Sequence, residues 1–311
     1  MKKWWFVAAS LAVLALVVVP RLVRYRRANL ETLDLTDAVR KQAPGSFVQL
    51  PLGFLHYELG GLAGRPLVVL VPDFSTTYAV WDPAFASLTQ AGFRVLRYDH
   101  FGGGFSDRPR ARYDPEFFDQ QILDLLDALK VQEKVDLVGA GMGGTIAAAF
   151  VNRHPARARK LVMIDPGYRT GYEIPIRLRV PFARSYNMAM RVSNMAESQL
   201  NGFVHPERFP HYLDSYREQM RYRGFRDAIL STMLNYWTQD TTAEYRQLGK
   251  TGRPVLLFWG VADGAARIQL SVKVREEIPQ AEFHAVPDAG HLAAYEQPGI
   301  VNPILIEFLA R

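Results

Sequence analysis

Short apolar runs alternate with amphipathic stretches along the chain from residue 46 to the C terminus. Continuous apolar runs of this length are typical of strands that are buried on both faces. Amphipathic stretches between them are typical of helices. Strands that alternate with helices predict a mostly parallel sheet covered by helices on both faces. The predicted strands are 66–71, 93–98, 134–138, 160–164, 255–259 and 282–286, and the predicted helices are 79–90, 115–129, 142–153, 266–277 and 299–310. A hairpin over 47–58 precedes them.

One long segment interrupts this alternation. Residues 168–250 separate two predicted strands by far more than an ordinary connection. The segment is rich in Tyr, Met, Arg and Phe, and it is expected to form a helical cap over the carboxyl edge of the sheet, where ligands of open parallel sheets bind. We therefore predict a core of residues 46–167 and 251–311 with the cap inserted after the sixth strand.

The N-terminal residues differ from the rest of the chain. Trp4–Pro20 is a run of 17 residues without charge, near the lower length limit for a membrane-spanning helix. Lysines precede the run and four arginines follow it, without the small residues of a signal-peptide cleavage site. Residues 1–27 are accordingly predicted to be a membrane anchor with a basic flank, on an undetermined side of the membrane, and residues 28–45 a linker. The alternative is secretion or export to the periplasm after signal cleavage.

Composition and charge argue against nucleic-acid binding and against cysteine-dependent functions. The net charge is +6, but residues 1–40 contribute +4 of it, and the body carries no basic stripe or nucleic-acid-binding motif. The absence of cysteine excludes disulfides and a thiol nucleophile. The histidine spacing predicts no metal site, and no motif predicts a cofactor. Protein partners and oligomeric state cannot be inferred from the sequence.

A glycine-rich turn lies between the predicted strand at 134–138 and the helix at 142–153. Residues 137–144 have the sequence Leu-Val-Gly-Ala-Gly-Met-Gly-Gly. Gly139 and Gly143 would let the strand and the helix approach closely around a sharp turn. The residue at the centre of the turn is Gly141, which has no side chain.

Three further motifs accompany this turn. Residues 98–109 (YDHFGGGFSDRP) follow one predicted strand, Gly260-Val261-Ala262-Asp263 follows another, and Asp288-Ala289-Gly290-His291 follows the last. Together with the turn, they resemble the α/β-hydrolase superfamily of the AB hydrolase-1 type over about residues 46–311. The resemblance implies an α/β-hydrolase fold with a mostly parallel eight-stranded sheet.

The same resemblance assigns roles to individual positions. The turn matches the family's G-x-S-x-G nucleophile elbow, with Gly141 in place of the serine. His291 matches the catalytic histidine and Asp263 the acid, with Asp165 as a fallback acid. The backbone N–H groups of Phe74 and Met142 would be the oxyanion donors.

The segment that would form the oxyanion loop departs from the family pattern. The family usually has His-Gly at the end of its third strand, whereas this chain has Pro72-Asp73-Phe74. A carboxylate at Asp73 would oppose a developing oxyanion. Ester chemistry is therefore undermined both at Gly141 and at Asp73.

Three functional hypotheses remain open from the sequence. The first is a family member without serine-hydrolase activity that binds a small apolar molecule under its cap. The second is an enzyme of altered mechanism, a hydrolase or lyase in which His291 and Asp263 form a base acting on the substrate or on a water in the space left by the serine oxygen. The third is an inactivated form of a carboxylesterase-like hydrolase.

Overall fold

The protein is described here from a computed structural model. It describes residues 2–62, 64–168 and 173–311, without the side chains of residues 2–14 and 182. The predicted start of the cap at residue 168 adjoins residues 169–172, which lie outside the described residues.

Within the described part of the chain, eight strands form one sheet in the order β1-β2-β4-β3-β5-β6-β7-β8. The antiparallel pairs are β1 with β2 and β2 with β4, and the remaining pairs are parallel. The strands are β1 Ser46–Leu50, β2 Gly53–Gly60, β3 Leu67–Val71, β4 Arg94–Tyr98, β5 Val135–Ala140, β6 Ala158–Ile164, β7 Val255–Gly260 and β8 Glu282–Val286. The predicted α/β-hydrolase fold and its mostly parallel sheet are confirmed.

Helices cover the sheet and connect its strands. They are α1 Lys2–Ala28, α2 Asp37–Gln42, α3 Asp82–Gln90, α4 Pro115–Ala128, α5 Met142–Arg153, α6 Ile176–Arg179, α7 Pro181–Ser193, α8 Met195–Gln199, α9 Pro210–Gln219, α10 Phe225–Asn235, α11 Thr242–Gly249, α12 Leu270–Glu277, α13 Ala293–Glu296 and α14 Pro298–Ala310. Short 3-10 helices occur at Tyr78–Trp81, Leu200–Gly202 and Pro206–Arg208. Helix α12 begins later than predicted, because the loop after β7 extends to residue 269.

The central strand β3 is apolar throughout because both of its faces are buried. In β3, Val68 and Leu70 belong to the core that includes residues of α3 and α14. The alternate residues Val69 and Val71 belong to the core on the opposite face, with residues of α4 and α5. Because β3, β5, β6, β7 and β8 are parallel neighbours, their carboxyl ends lie along the same edge of the sheet.

Helices α6 to α11 lie between β6 and β7 and are called the cap segment below. Residues of the cap segment such as Met188, Tyr212 and Phe225 share a hydrophobic core with the sheet and α3. Many of the aromatic and methionine side chains noted in the sequence therefore pack in the core.

The N-terminal residues do not form the predicted anchor. Among the described residues, no helix combines the length and the apolar character needed to cross a bilayer. The charge-free run Trp4–Pro20 is shorter than the roughly 20 residues that a span needs, and α1 continues from it into four arginines. The prediction of a transmembrane helix and of a membrane-anchored protein is therefore wrong.

The segment predicted to be a linker is held on the cap segment. The backbone N–H groups of Thr32 and Leu33 each donate to the carbonyl of Arg221 at 2.9 Å, and the N–H of Arg223 donates to the carbonyl of Leu33 at 2.9 Å. Leu33 also forms an isolated bridge with Tyr222.

Candidate active site

The sharp turn between β5 and α5 has Gly141 at its centre. Gly141 adopts φ 50° and ψ −117°, a conformation that side-chain-bearing residues rarely adopt. A Cβ atom on Gly139 would overlap with the backbone of Gly143, and one on Gly143 would overlap with the backbone of Val71. The glycines on either side of the turn are thus required by the close approach of strand and helix.

The carboxylate of Asp73 occupies the space beside Gly141. Asp73 follows β3, and a Cβ atom placed on Gly141 would overlap with both Oδ1 and Cγ of this side chain. The second of the three sequence-based hypotheses placed a water molecule in this space. The structure instead has a carboxylate from the neighbouring strand there.

The same carboxylate uses the predicted oxyanion donors. Met142 N–H donates to Asp73 Oδ1 at 2.6 Å. The backbone N–H of Phe74 also lies near the Asp73 carboxylate and contributes to lowering its pKa. Both donors that the resemblance implied are thus directed at an anion of the protein itself.

The loop that carries Asp73 is fixed from the core. Thr76 Oγ1 donates to the Asp73 carbonyl at 3.0 Å. His100 Nε2 lies 3.0 Å from the Pro72 carbonyl, and burial lowers the pKa of His100 to about 4. The neutral ring therefore has its proton on Nε2 and donates it to that carbonyl.

The cap segment holds the same loop from the other side. Ser75 Oγ lies 2.6 Å from Tyr216 Oη, and Gln219 Nε2 donates to the Ser75 carbonyl at 2.6 Å. The Oε1 atom of Gln219 accepts from the N–H of Gly104 at 2.8 Å. Sequence reasoning missed Tyr216 and Gln219, because nothing in the local pattern of α9 links them to a loop more than 100 residues away.

His291 lies between two carboxylates. Its Nδ1 atom is 2.8 Å from Asp263 Oδ2, and its Nε2 atom is 3.4 Å from Asp73 Oδ2. Asp263 Oδ1 accepts the N–H groups of Ala265 and Ala266 at 2.7 and 2.8 Å, which fixes the orientation of the acid. The structure therefore joins Asp73, His291 and Asp263 in one chain of polar contacts.

Asp165 makes no hydrogen bond to His291. It accepts N–H groups from Gly260 at 2.6 Å and from Ala293 at 3.3 Å. Burial, with the nearby charge of Asp263, raises the pKa of Asp165 well above its usual value. Of the two candidate acids, only Asp263 contacts the histidine.

The two groups that face each other at the elbow are an ion pair. Burial alone would raise the pKa of Asp73, but the hydrogen bond and charge of His291, with the N–H groups of Met142 and Phe74, hold it below its usual value. Burial alone would lower the pKa of His291, but its contacts with Asp263 and Asp73 raise it well above its usual value. At neutral pH, Asp73 is therefore an anion and His291 a cation.

A cavity of about 430 Å³ opens above this ion pair, between the core and the cap segment. Asp73, Gly141 and His291 form part of its floor, and Ser198, Gln199 and Asn201 line it from the cap segment. Such a volume is within the range of small-molecule sites. The residues predicted for the site, Gly141, His291, Phe74, Met142 and Asp73, all line it. Asp263 lies behind His291.

Comparisons with known proteins agree with the fold and the motif set. The sequence family described as the alpha/beta hydrolase fold matches residues 66–298. The chain is 27% identical over 259 residues to the 2-hydroxymuconate semialdehyde hydrolase of Pseudomonas sp. (strain CF600), which covers 80% of this chain and 88% of the relative. It is 24% identical over 275 residues to the AB hydrolase superfamily protein YfhM of Bacillus subtilis (strain 168), covering 82% of this chain and 94% of that protein.

A solved structure is similar over nearly the same range. The enol-lactonase from Burkholderia xenovorans LB400 superposes with a TM-score of 0.73 at 24% identity, covering 86% of this chain and 100% of the lactonase. This similarity concerns the fold. Because the family match extends over most of the core and its insertion, the chain belongs to the α/β hydrolase family.

Proposed function

We propose that this α/β hydrolase family protein lacks serine-hydrolase activity and binds a small, neutral, largely apolar molecule in the cavity beneath the cap segment. The observation that carries the proposal is the position of the Asp73 carboxylate, beside Gly141 and on the N–H of Met142.

Serine-type acyl transfer needs a hydroxyl next to the histidine and free donors for the oxyanion. Gly141 supplies no hydroxyl, the N–H of Met142 is already bonded to Asp73, and the N–H of Phe74 lies near the same carboxylate. A substrate carbonyl would therefore have to displace a buried, ion-paired carboxylate. The Asp73 carboxylate occupies the space that a side chain at position 141 would need. This fit favours a site with a different arrangement of groups over a carboxylesterase-like enzyme that has merely lost its serine.

The protonation of His291 also argues against a simple base mechanism. A general base must have a free lone pair at the working pH. His291 is held protonated by Asp73 on one side and Asp263 on the other. While Asp73 is charged, activation of a water by the His291–Asp263 pair is disfavoured.

The charge of the cavity floor limits the ligand. Two carboxylates, Asp73 and Asp263, face one imidazolium, so the cluster carries a net negative charge that repels an anionic ligand. Phe74 and Leu270 offer apolar surface, and Gln199 and Asn201 offer polar groups for one end of the molecule. A neutral molecule of mostly hydrocarbon character suits these surroundings.

The first experiment tests the lost chemistry with a fluorophosphonate probe and p-nitrophenyl butyrate. We expect the native protein and Gly141→Ser to stay unlabelled, because Asp73 occupies the space beside residue 141. The Asp73→Ala/Gly141→Ser double variant frees both space and donors, and we expect it to gain labelling. An active serine esterase is the positive control. Labelling of the native protein, or ester turnover that His291→Ala abolishes, would overturn the proposal.

The second experiment tests binding by calorimetric titration with hexyl acetate. We expect saturable binding without hydrolysis. Leu270→Trp, which fills the cavity, should abolish it. Val272 lies on the same helix, is 53% exposed and does not line the cavity. Val272→Trp is therefore the matched control, and we expect it to bind hexyl acetate like the native protein. Equal binding by both variants would place the ligand elsewhere and contradict the proposal.

A further inference from the structure

Two polar atoms with opposite hydrogen-bonding roles lie next to each other on the cavity floor. Asp73 Oδ2 is an acceptor, and it is 3.4 Å from His291 Nε2, which carries a proton at neutral pH. Charge-assisted N–H···O bonds are usually about 2.7–2.9 Å long, so this contact is a loose one. The two side chains are 10% and 20% exposed, and both residues line the cavity. A donor and an acceptor are therefore both accessible to a molecule in the cavity.

The other polar atoms of these two side chains have partners inside the protein. Asp73 Oδ1 accepts the N–H of Met142 at 2.6 Å, and His291 Nδ1 lies 2.8 Å from Asp263 Oδ2. A carboxylate offers about four acceptor positions. The N–H groups near Asp73, from Met142, Phe74 and His291, leave room for a further donor. A ligand can thus contact Asp73 Oδ2 and His291 Nε2 without displacing a backbone partner.

We propose that the ligand of this cavity is an aliphatic alcohol, whose hydroxyl group donates a hydrogen bond to Asp73 Oδ2 and accepts one from His291 Nε2. This inference rests on the proposed function, because it needs a small, largely apolar molecule in the same cavity. It deepens that function by naming the one polar group that the molecule carries.

The pair of one donor and one acceptor determines which polar group fits. A hydroxyl both donates and accepts, whereas an ether or an ester only accepts and leaves Asp73 Oδ2 without a new donor. An alkylammonium ion only donates, and it would place a second positive charge beside His291. A carboxylate is repelled by the net negative charge of the cluster, and a primary amide buries further polar atoms that need partners of their own.

The apolar part of the lining accounts for affinity but not for this selectivity. Phe74, Met142 and Leu270 line the cavity and can contact an alkyl chain. The hydrophobic contribution depends on the apolar area that is buried, and it is therefore nearly the same for an alcohol and an ether of equal size. A difference in affinity between two such molecules reports on the polar pair alone.

The experiment compares two isomers by calorimetric titration of the full chain. The probes 1-hexanol and 1-methoxypentane have the same atoms, but only the alcohol can donate a hydrogen bond. We expect 1-hexanol to bind the native protein about 10-fold more tightly or better, as a hydrogen bond to a charged group allows.

The variant Asp73→Asn tests where the hydroxyl binds. The N–H of Met142 requires the amide oxygen, so the amide nitrogen takes the place of Oδ2 and presents a donor. The preference for the alcohol should then fall to about threefold or less, because no charged acceptor remains there. Asp127→Asn is the matched control: it removes a carboxylate that is 56% exposed and does not line the cavity, and it should keep the native preference.

The outcomes separate this inference from the proposed function. Equal binding of the two isomers by the native protein would overturn the inference and leave the binding proposal standing. A preference that persists in Asp73→Asn would place the hydroxyl on another polar group and overturn it as well. If neither isomer nor hexyl acetate binds, both proposals fall.

A spectroscopic measurement on the native protein keeps the test decisive if Asp73→Asn fails to fold. Imidazole NMR should show the Nε2 resonance of His291 shifting as 1-hexanol is added, while the resonances of the buried His56 stay in place. Saturable binding of 1-hexanol without a shift at His291 would overturn the inference.

Discussion

Two of the histidine–carboxylate clusters among the described residues differ in how far solvent and ligands can reach them. In the first, His56 Nδ1 lies 2.7 Å from Asp99 Oδ2 and its Nε2 lies 2.5 Å from the Pro44 carbonyl, so both ring nitrogens are used inside the fold. Both side chains are 2% exposed. In the second, His291 is 20% exposed and lies on the floor of a cavity.

The contrast shows why a shifted pKa does not by itself indicate a site. In both clusters a carboxylate raises the histidine pKa against the effect of burial, and in both an aspartate pKa is lowered. His56 and Asp99 connect β2, β4 and the chain near Pro44, and their partners are all part of the protein. The cavity beside Asp73 and His291 has a volume of about 430 Å³, whereas the cavity that His56 and Asp99 line has only about 150 Å³.

The largest expected effect is the difference in unfolding free energy lost when the histidine of each cluster is replaced by leucine. His56→Leu leaves the Asp99 charge buried without its partner, and we expect a loss of about 3–5 kcal/mol in the free energy of unfolding. His291→Leu removes the charged partner of both Asp73 and Asp263, but the cavity lets solvent reach Asp73, and the N–H groups of Ala265 and Ala266 still hold Asp263. We therefore expect a smaller loss of about 1–3 kcal/mol. Equilibrium urea denaturation measures both.

The control for this first prediction removes the stranded charge. Adding Asp99→Asn to His56→Leu should recover part of the loss, because the amide needs no counter-charge. If His291→Leu were as destabilising as His56→Leu, the second cluster would be as structural as the first, and the comparison would fail.

The sequence predicted the sheet, the turn and the pair of His291 with Asp263 because each depends on local pattern or on a motif with fixed spacing. The buried strand β3 is apolar at every position, and the close approach of backbones at the turn between β5 and α5 requires Gly139 and Gly143. The placement of Asp73 could be anticipated only as a carboxylate near the oxyanion donors. Whether its side chain turns towards Gly141 depends on χ angles and on distant contacts such as Gln219, which no local pattern encodes.

The error at the N terminus has a different physical origin. Trp4–Pro20 has the composition of a membrane span but only 17 residues, and hydropathy alone cannot separate a short span from another apolar helix at that length. The docking of Thr32 and Leu33 on Arg221 depends on backbone groups, which are present in every sequence.

A smaller effect is expected at the turn, where Gly141→Ala acts on the open cluster alone. The positive φ of residue 141 costs about 1–3 kcal/mol for alanine, and the new methyl group also overlaps with the Asp73 carboxylate. When Gly141→Ala is made in an Asp73→Ala background, the overlap with the carboxylate is absent and only the free-energy cost of the positive φ remains. We therefore expect a double-mutant coupling of about 0.5–3 kcal/mol between the two positions, from urea denaturation of the four proteins. Strict additivity would mean that the carboxylate does not occupy the space beside Gly141.

The smallest and most specific effect concerns the proton on His291. Asp73→Asn removes one of the two carboxylates that raise its pKa, so the pKa should fall, while that of His56 stays unchanged as an internal reference. A histidine whose folded pKa lies above the unfolded value of about 6.5 stabilises the fold fully below that pH and loses this contribution as pH rises through the folded pKa. In both proteins the loss begins near the unfolded value, but in Asp73→Asn the contribution should be smaller and its loss complete at a lower pH than in the native protein. Imidazole NMR titration and urea denaturation across alkaline pH measure the two quantities. An unchanged His291 titration would mean that Asp263 alone holds the proton, and Asp73 would then not be part of the same cluster.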